Sequence, residues 1–355
     1  MRILILSWRD LKNPLAGGSE VFVQNLARCW AQVGHKVTFL SSAHEGLAVE
    51  EEVDGYQIVR RGGRFTVYRC ARRYYQNEGR RSFDAVLEVV NTRPFLTPKW
   101  LHDIPVVTLI HQLAREVWKY EVPAPAAVLG RYYLEPRWLR NYADRPVLTL
   151  SKSSKASLHD YGMRNVDVIK VGIDPPLNRP LPAKAEKPTV LFVGRLSANK
   201  RPEHAVTAHA IARQVIPDLE LWVIGDGPYV DKVKSSAGPG VKFFGRVDPE
   251  TKQDMMASAH ALLVTSVREG WGLVVSEAGQ VGTRSIGYDV AGLQDSVPAA
   301  GGRIVLASPE SMANAIVESV PTWMKEGPAQ LASLGVHPWE DCAEDVLRHL
   351  SQARD

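Results

Sequence analysis

The chain of 355 residues has few cysteines and no long apolar segment. Its three cysteines, Cys29, Cys70 and Cys342, are widely spaced and odd in number. They indicate neither a disulfide framework nor a metal site, and they favour a reducing compartment. No apolar run approaches the roughly 18 residues that a membrane-spanning helix needs. The apolar run in the opening residues MRILILSWRD is too short for a secretion signal. We therefore expect a cytoplasmic protein.

The chain also lacks a strong excess of either charge. Its formal net charge is +4 and its pI is near 8.9, which by itself does not indicate nucleic-acid binding. A dinucleotide fingerprint is missing as well. The first strand is followed by a long loop that ends in Gly17-Gly18-Ser19-Glu20, which is not G-x-G-x-x-G. We expect no nucleic-acid partner and no bound dinucleotide.

What the sequence does contain is two series of alternating strands and helices. The first begins with a buried strand at residues 2–6, a helix at 19–33 and a strand at 36–40. A proline-rich stretch without periodicity, residues 174–187, reads as a linker, and the alternation then restarts. The pattern predicts an α/β protein with two doubly wound, Rossmann-like domains at residues 1–173 and 188–335.

The most informative stretch is residues 266–283, in which two carboxylates stand eight positions apart. Glu269 lies in a glycine-rich loop after an apolar strand, and Glu277 lies in the second turn of the following helix. Such a loop directs backbone N–H groups at a ligand, and a helix N-terminus favours anions. The loop and helix start consist of Gly270, Trp271, Gly272 and Leu273.

Two cations follow the first strand of the second series, in the sequence GRLSANK. Arg195 and Lys200 are expected at the carboxyl edge of the sheet, where ligands collect in open α/β folds. Together they could neutralise a diphosphate leaving group. Taken singly, each would be ordinary surface charge.

These motifs resemble the signature of the family-4 retaining glycosyltransferases. That family has Glu, Gly, an aromatic residue, Gly and Leu, and then a second Glu, in the order found here from Glu269 to Glu277. The Gly-Gly-Ser-Glu loop, the GRLSANK segment and the strand that ends in His111 are also similar to the family. The resemblance implies the GT-B fold, in which the two domains face a cleft. It also implies that a C-terminal helix, within residues 336–355, crosses back to the N-terminal domain.

The resemblance assigns expected roles to individual residues. Glu269 contacts the sugar of the donor, and Glu277 holds the ribose of its nucleotide. His111 binds a sugar hydroxyl or shapes the pocket, but is not a catalytic base. We group Glu269, His111, Arg195 and Lys200 as catalytic. The donor-binding residues are expected to be Gly17, Gly18, Arg246, Val247, Gly270, Trp271, Gly272, Leu273 and Glu277.

The sequence departs from the family pattern at three places. Val171 stands where an Asn usually precedes Gly172, so the role of that Asn cannot be transferred. Arg201 follows Lys200 where the family usually has Gly. The residues after Thr283 also differ, which leaves the geometry of that loop open.

The implied reaction is retaining transfer of a sugar from a nucleoside-diphosphate sugar, with UDP or GDP as the expected nucleotide. The chain has no Asp-x-Asp motif. We therefore expect neither a metal nor another cofactor. The expected acceptor is a lipid-linked or polysaccharide-precursor molecule, with a small secondary metabolite as the alternative. A non-catalytic nucleotide-sugar-binding subunit, an epimerase or a phosphorylase would also fit this fold, although no cofactor-lysine motif for a phosphorylase is found.

Residues 60–81 hold eight arginines, from Arg60 to Arg81, and one acidic residue, Glu78. Arg69, Arg72, Arg73 and Arg80 are expected to share one helical face. This segment is either a solvated basic face or a surface that binds anionic lipid, and RNA binding is the least favoured interpretation because no recognition motif accompanies it. The lipid interpretation predicts a peripheral protein on the inner face of a membrane.

Overall fold

The computed structural model describes residues 1–79, 82–329 and 334–353 of the chain. It divides into two compact units, of which the first is Met1–Gly172 with His337–Asp355 and the second is Ile173–Val336. Each unit has its own sheet and its own apolar core.

The first unit is built around one large sheet with helices between the strands. Its strands are β1 (Arg2–Leu6), β2 (Lys36–Ser41), β3 (Glu50–Val53), β4 (Tyr56–Arg60), β5 (Ala85–Val90), β6 (Val106–Ile110), β7 (Val147–Thr149) and β8 (Val166–Val168). Its helices before the second unit are α1 (Gly18–Gln32), α2 (Val67–Tyr74), α3 (Trp118–Glu121), α4 (Ala124–Leu129), α5 (Glu135–Leu139) and α6 (Lys152–Asp160).

The second unit repeats the plan on a smaller sheet. Its strands are β9 (Thr189–Val193), β10 (Glu220–Ile224), β11 (Val241–Gly245), β12 (Ala261–Val264), β13 (Arg284–Tyr288) and β14 (Arg303–Val305). Its helices are α7 (Pro202–Ala212), α8 (Val230–Ser235), α9 (Pro249–Ser258), α10 (Leu273–Gln280), α11 (Leu293–Ala299) and α12 (Pro309–Glu326). A last helix, α13 (Trp339–Gln352), belongs to the first unit.

Both sheets are doubly wound, as predicted. In the first, the strand order is β3-β4-β2-β1-β5-β6-β7-β8, so the chain starts in the middle, runs to one edge and returns for the other half. In the second, the order is β11-β10-β9-β12-β13-β14, and all its strand pairs are parallel. The order in which strands are added to the sheet therefore reverses between β1 and β5 and between β9 and β12, and ligands bind at such switch points in open α/β sheets.

The apolar runs in the sequence are buried because helices cover both faces of each sheet. On one face of the second sheet, Val206 of α7 and Ile316 of α12 belong to one core cluster. On the other, Val275 of α10 and Leu293 of α11 belong to a second cluster.

The edge strand β3 was not predicted from the sequence. It consists of three glutamates and a valine, and it pairs antiparallel with β4 through a turn at Asp54-Gly55. Both turn residues have positive φ, 50° and 82°. Acidic residues at a sheet edge discourage pairing with another chain. Because such a strand has no apolar run, its sequence does not predict it.

The returning C-terminal helix is confirmed. The ring of Trp339 lies edge-on to Phe22 at 5.5 Å between centroids, and Trp30 Nε1 donates to the Ala343 carbonyl at 2.8 Å. Cys342 Sγ donates to the Lys170 carbonyl at 2.9 Å. Helix α13 therefore completes the core of the first unit.

The predicted linker, residues 174–187, has no helix or strand. Lys184 Nζ donates to the Ala259 carbonyl at 2.6 Å and to Thr283 Oγ1 at 2.7 Å, so this part of the segment lies on the second unit. Burial lowers the pKa of Lys184 to about 8. Across the three described ranges, no helix combines the length and the apolar character needed to span a membrane.

Candidate functional site

The second unit brings Glu269 and Lys200 into direct contact. Lys200 lies in a short 3₁₀ turn after β9, and Glu269 follows the neighbouring strand β12. The Lys200 ammonium group forms a hydrogen-bonded ion pair with the Glu269 carboxylate, which also accepts from Ser266 Oγ at 2.6 Å. Both segments are clamped together, since Val267 N–H donates to the Asn199 carbonyl at 2.8 Å.

The backbone of Glu269 is held by the loop after β13. Its N–H donates to the Ala291 carbonyl at 3.2 Å. Gly292 has φ of 84°, and an added Cβ there would lie 2.4 Å from the Glu269 carbonyl oxygen. Only glycine fits this approach, so the loop after β13 holds the backbone of Glu269 in place.

Helix α10 begins at Leu273, directly after Gly272, whose φ of 91° favours glycine, and no side chain caps the helix. The first N–H groups of a helix have no partner within it, so they are available to an anion. The indole of Trp271 is buried and its Nε1 donates to Ser276 Oγ at 2.9 Å. The backbone around Trp271, rather than its ring, is thus the part that a ligand can contact.

Glu277 lies in the second turn of α10, as predicted, and it is already paired. Lys252 Nζ on α9 lies 2.9 Å from Glu277 Oε2. Both side chains are about one-third exposed, at 33% for Lys252 and 32% for Glu277. The carboxylate is therefore accessible to a ligand, and its second oxygen is free of Lys252.

Arg195 and Arg246 are exposed after β9 and β11, and neither has an ion pair among the residues that the structure describes. The backbone beside Arg195 is tightly packed, since an added Cβ at Gly225 would lie 1.9 Å from the Gly194 carbonyl oxygen. Val247 is half-buried next to Arg246. Both arginines are thus available to a ligand.

In the first unit, Gly17 and Gly18 start helix α1, and Glu20 determines their geometry. The Gly17 N–H donates to Glu20 Oε2 at 2.7 Å, so this N–H is not available to a phosphate. Gly18 is exposed, and an added Cβ there would have nothing within 4 Å. Of the two predicted glycines, Gly18 is the one that a ligand can approach.

Glu20, which the sequence analysis did not identify, accepts several hydrogen bonds beside this loop. Its Oε1 accepts from Ser19 Oγ at 2.9 Å and from Asn91 Nδ2 at 2.8 Å, and Arg9 Nε lies 2.9 Å away. Glu20 is almost completely buried. A Glu three positions after a helix N-cap is the capping-box spacing, so the signal was present in Gly17-x-x-Glu20.

His111 directly follows β6 and packs against α1. Its ring is edge-on to Phe22 at 5.3 Å between centroids, one helical turn after Gly18. The side chain is buried, and neither ring nitrogen has a hydrogen-bond partner within the described part of the chain. Burial lowers the pKa of His111 to about 4, so the ring is neutral near pH 7. A buried ring with both nitrogens free is suited to bind a ligand hydroxyl.

The basic segment differs from the prediction at its first residue. Arg60 is buried and forms hydrogen-bonded ion pairs with Asp10, at 2.8 Å from Nε to Oδ2, and with Glu51, at 2.6 Å. It therefore belongs to the core and not to an exposed basic face. At the other end, Arg80 and Arg81 lie outside the described residues.

Three arginines of the segment do share the solvent face of α2. Arg69, Arg72 and Arg73 are exposed, and no carboxylate of the described residues pairs with them. The opposite face of the helix buries Val67 and Ala71. The exposed arginines therefore form a surface of one charge.

No group of three or more His, Cys, Asp or Glu side chains within residues 1–79, 82–329 and 334–353 is arranged to hold a metal ion. The second unit instead holds two carboxylate–lysine pairs, Glu269 with Lys200 and Glu277 with Lys252. Such an arrangement can hold sugar and ribose hydroxyls through the carboxylates and phosphate oxygens through the cations.

Comparisons with known proteins match both halves of the chain. Residues 16–176 match the family model described as Glycosyltransferase Family 4, and residues 175–333 match Glycosyl transferases group 1. The glycogen synthase of Mycobacterium tuberculosis is 25% identical over 338 residues, covering 84% of this chain and 80% of the relative.

Solved structures with a similar fold span the whole chain. Sucrose-phosphate synthase from Thermosynechococcus elongatus has a TM-score of 0.76 at 21% identity, covering 99% of this chain and 98% of its own. HepE from Anabaena, solved in complex with UDP-glucose, has a TM-score of 0.68 at 18% identity, covering 100% and 96%. At these identities the likeness shows the fold.

Proposed function

Because this chain belongs to the family-4 glycosyltransferases and has the GT-B fold, we propose that it transfers a sugar from a nucleoside-diphosphate sugar with retention at the anomeric carbon. The observation that carries the proposal is the contact between Lys200 and Glu269 beside the uncapped start of α10. A cation, a carboxylate and the first N–H groups of α10 in one place support the binding of a sugar diphosphate there. The structure of HepE with UDP-glucose supports a donor of this class.

Charge on the departing diphosphate is the main electrostatic problem of the reaction. Lys200, Arg195 and the N–H groups at the start of α10 supply the opposing positive charge. Each well-placed hydrogen-bond donor of this kind lowers the barrier by roughly 3 kcal/mol. We infer that the enzyme needs no metal, so activity should persist in EDTA, and complete loss that Mg²⁺ restores would contradict this.

The carboxylates and His111 have binding roles in this proposal. Glu277 accepts hydrogen bonds from the ribose hydroxyls through the oxygen that Lys252 leaves free. Glu269 accepts from hydroxyls of the sugar. The neutral ring of His111 binds a further sugar hydroxyl, since both its nitrogens are unsatisfied.

We propose that bond formation and bond cleavage occur on the same face of the sugar. The acceptor oxygen bonds to the anomeric carbon as the bond to the diphosphate breaks, and the acceptor proton passes to the departing phosphate oxygen. The configuration is thereby retained without a covalent enzyme intermediate. Exclusion of water from the bound donor would limit its hydrolysis.

The acceptor that we propose is a lipid-linked or polysaccharide-precursor molecule at the cytoplasmic face of a membrane. The exposed arginines Arg69, Arg72 and Arg73 support it, and Phe65, which is 73% exposed, adds an apolar contact. Basic residues near an anionic bilayer contribute about 1 kcal/mol each. Replacing Arg72 and Arg73 with Ala should weaken binding to anionic liposomes, and unchanged binding would remove the membrane from the proposal.

The experiment that tests the donor is a thermal-shift panel of UDP-, GDP-, ADP- and dTDP-sugars. A ligand that binds the folded state raises its melting temperature by mass action. We expect one nucleotide to stabilise the wild type and to lose most of that effect in Glu277→Ala. The matched control is Lys242→Ala, which removes a surface pair with Glu220 in the same unit. If no nucleotide stabilises the protein, the chain is not a donor-binding enzyme.

A further inference from the structure

Three arginines of the first unit gather around two aromatic rings. The Arg9 guanidinium carbon lies 4.4 Å from the centroid of the Trp8 ring, and that of Arg64 lies 5.6 Å from the same ring. Arg93 stacks on Tyr68 at 4.3 Å. Burial raises the pKa of Tyr68 to about 12, while the charges of these three arginines act to lower it. Tyr68 is thus exposed to the positive charge of all three arginines, and Arg93 lies directly on its ring.

The cluster lies at the carboxyl edge of the first sheet. Arg9 follows β1, Arg64 follows β4 and Arg93 follows β5, and these strands run in the same direction. The carboxyl ends of parallel strands share one edge, which is where ligands bind in this class of fold. The switch point between β1 and β5 lies within the cluster.

One carboxylate pairs with the cluster. Among the described residues Glu20 forms its ion pair with Arg9, and its other hydrogen bonds involve Gly17, Ser19 and Asn91. Arg64 and Arg93 have no ion pair within the portion of the chain that the structure describes. Among the described residues, the guanidinium groups of Arg64 and Arg93 therefore lie on neighbouring aromatic rings without a paired carboxylate.

Buried hydrogen bonds hold the loop after β5 that carries Arg93. Glu88, which is completely buried in β5, accepts from the Phe95 N–H at 2.7 Å and from Tyr142 Oη–H at 2.6 Å. These bonds hold the loop after β5, and Tyr68 packs on Phe95 at 4.9 Å between ring centroids. Stacking on an aromatic face leaves the N–H groups at the edge of a guanidinium free for an anion.

We propose that Arg64 and Arg93, assisted by Arg9, bind a phosphate group carried by the acceptor. The assignment of this phosphate to the acceptor rests on the proposed function, whereas the binding of phosphate by these arginines does not. It narrows the acceptor to a phosphorylated compound, either a soluble phosphate ester or the phosphate of a lipid headgroup. Glu277, the residue proposed to hold the ribose of the nucleotide, belongs to the second unit, whereas Arg64 and Arg93 belong to the first, and we therefore assign their phosphate to the acceptor.

The test is calorimetric titration of the full-length protein with inorganic phosphate at low salt. We expect saturable binding that weakens about tenfold, or 1.4 kcal/mol, in Arg64→Gln and in Arg93→Gln. The matched control is Arg164→Gln, which removes an equal charge from the exposed ion pair with Asp144 in the same unit and should bind phosphate like the wild type. Absence of saturable binding, or the same affinity in all three variants, would overturn the proposal.

Two further arms identify the source of the phosphate. If saturating UDP or GDP displaces the inorganic phosphate, the cluster holds the diphosphate of the donor and the acceptor assignment is wrong. If phosphate still binds, glucose 6-phosphate is titrated next, and vesicles of phosphatidylglycerol are tested by flotation. If the binding of glucose 6-phosphate depends on Arg64 and Arg93, the phosphate belongs to a soluble ester. If the binding of vesicles depends on them, it belongs to a lipid headgroup. None of these readings requires sugar transfer, so the donor proposal stands or falls separately in the thermal-shift panel.

Discussion

His111 is a buried histidine with no hydrogen-bond partner among residues 1–79, 82–329 and 334–353. Burial lowers its pKa to about 4, compared with an ordinary value of 6.5. Between these values the unfolded chain binds a proton that the folded chain does not, so stability falls as the pH falls. The contribution of the neutral ring is complete above pH 6.5 and is lost progressively towards pH 4.

We therefore expect the free energy of unfolding to fall by about 2–3 kcal/mol more in the wild type than in His111→Gln when the pH is lowered from 7 to 4.5. Urea unfolding at several pH values measures this. Two more buried histidines, His209 and His260, titrate in both proteins and cancel in the comparison. Parallel curves for the two proteins would show that His111 is not held neutral.

The buried ion pair of Asp10 and Arg60 also contributes to the stability of the first unit. Burial acts to raise the pKa of Asp10, but hydrogen bonds from Arg60 and Ser41 hold it below its ordinary value. Arg60 also donates to the Ala48 carbonyl at 2.7 Å. Removing Asp10 leaves Glu51 as the partner of the buried Arg60 charge, which is then only partly compensated.

We expect Asp10→Ala to lower the free energy of unfolding by about 3–5 kcal/mol, measured by urea denaturation. The control is Asp144→Ala, because the pair of Asp144 and Arg164 is about 70% exposed on both sides and should contribute no more than about 1 kcal/mol. Similar losses in both variants would mean that the Arg60 charge is not desolvated.

The sequence predicted some of these residues and not others for a physical reason. Lys200 and Glu269 could be placed together because each follows a strand, and the ends of neighbouring parallel strands meet. Arg60 also follows a run of apolar residues, yet nothing local marks it as buried. Its partners, Asp10 and Glu51, come from two other loops and strands, and such long-range pairing has no periodicity. The basic segment was therefore overestimated at its first residue.

At the scale of elements, the sequence predicted those that have a strong apolar period or a cap. Helix α6, for example, begins at a Ser151 cap that accepts from the Ser154 N–H at 3.2 Å. Strand β3 was not predicted, because its residues are mostly glutamates at a sheet edge. A short edge strand is specified by its partner β4 and by the turn between them.

Helix α13 explains a glycine that the sequence left without a role. An added Cβ at Gly172 would lie 2.0 Å from Trp339 Cε3, so the ring packs directly on the backbone. The usual Asn before this glycine is replaced by Val171, but the glycine remains. Its absence of a side chain allows α13 to dock against the first unit.

We expect Gly172→Ala to displace Trp339 and to lower the free energy of unfolding by about 1–3 kcal/mol or more, as overpacking does in cores. Gly63→Ala is the matched control, since an added Cβ at Gly63 has nothing within 4 Å. The maximum of the tryptophan fluorescence should shift to longer wavelength in the first variant only, because Trp339 leaves its buried position. An unshifted spectrum with full stability would show that the ring can move without cost.

At the scale of the whole molecule, the two doubly wound sheets follow from the two series of alternating strands and helices. The structure adds that the second unit is an insertion in the first. Gly172 and His337 form a parallel β-bridge, and the His337 N–H donates to the Val171 carbonyl at 2.8 Å. The chain thus leaves and re-enters the first unit at neighbouring points.

This geometry predicts that the first unit folds without the second. Residues 1–172 joined by a short glycine linker to residues 337–355 should give a monomer that melts cooperatively, because the linker needs to span only adjacent backbones. Residues 1–172 alone should not, because loss of α13 exposes Phe22 and Trp30, which are 0% and 1% accessible in the intact chain. Circular dichroism melting and size-exclusion chromatography compare the two. If both fragments fold equally well, α13 is not part of the core; if neither folds, the first unit depends on the second for its stability.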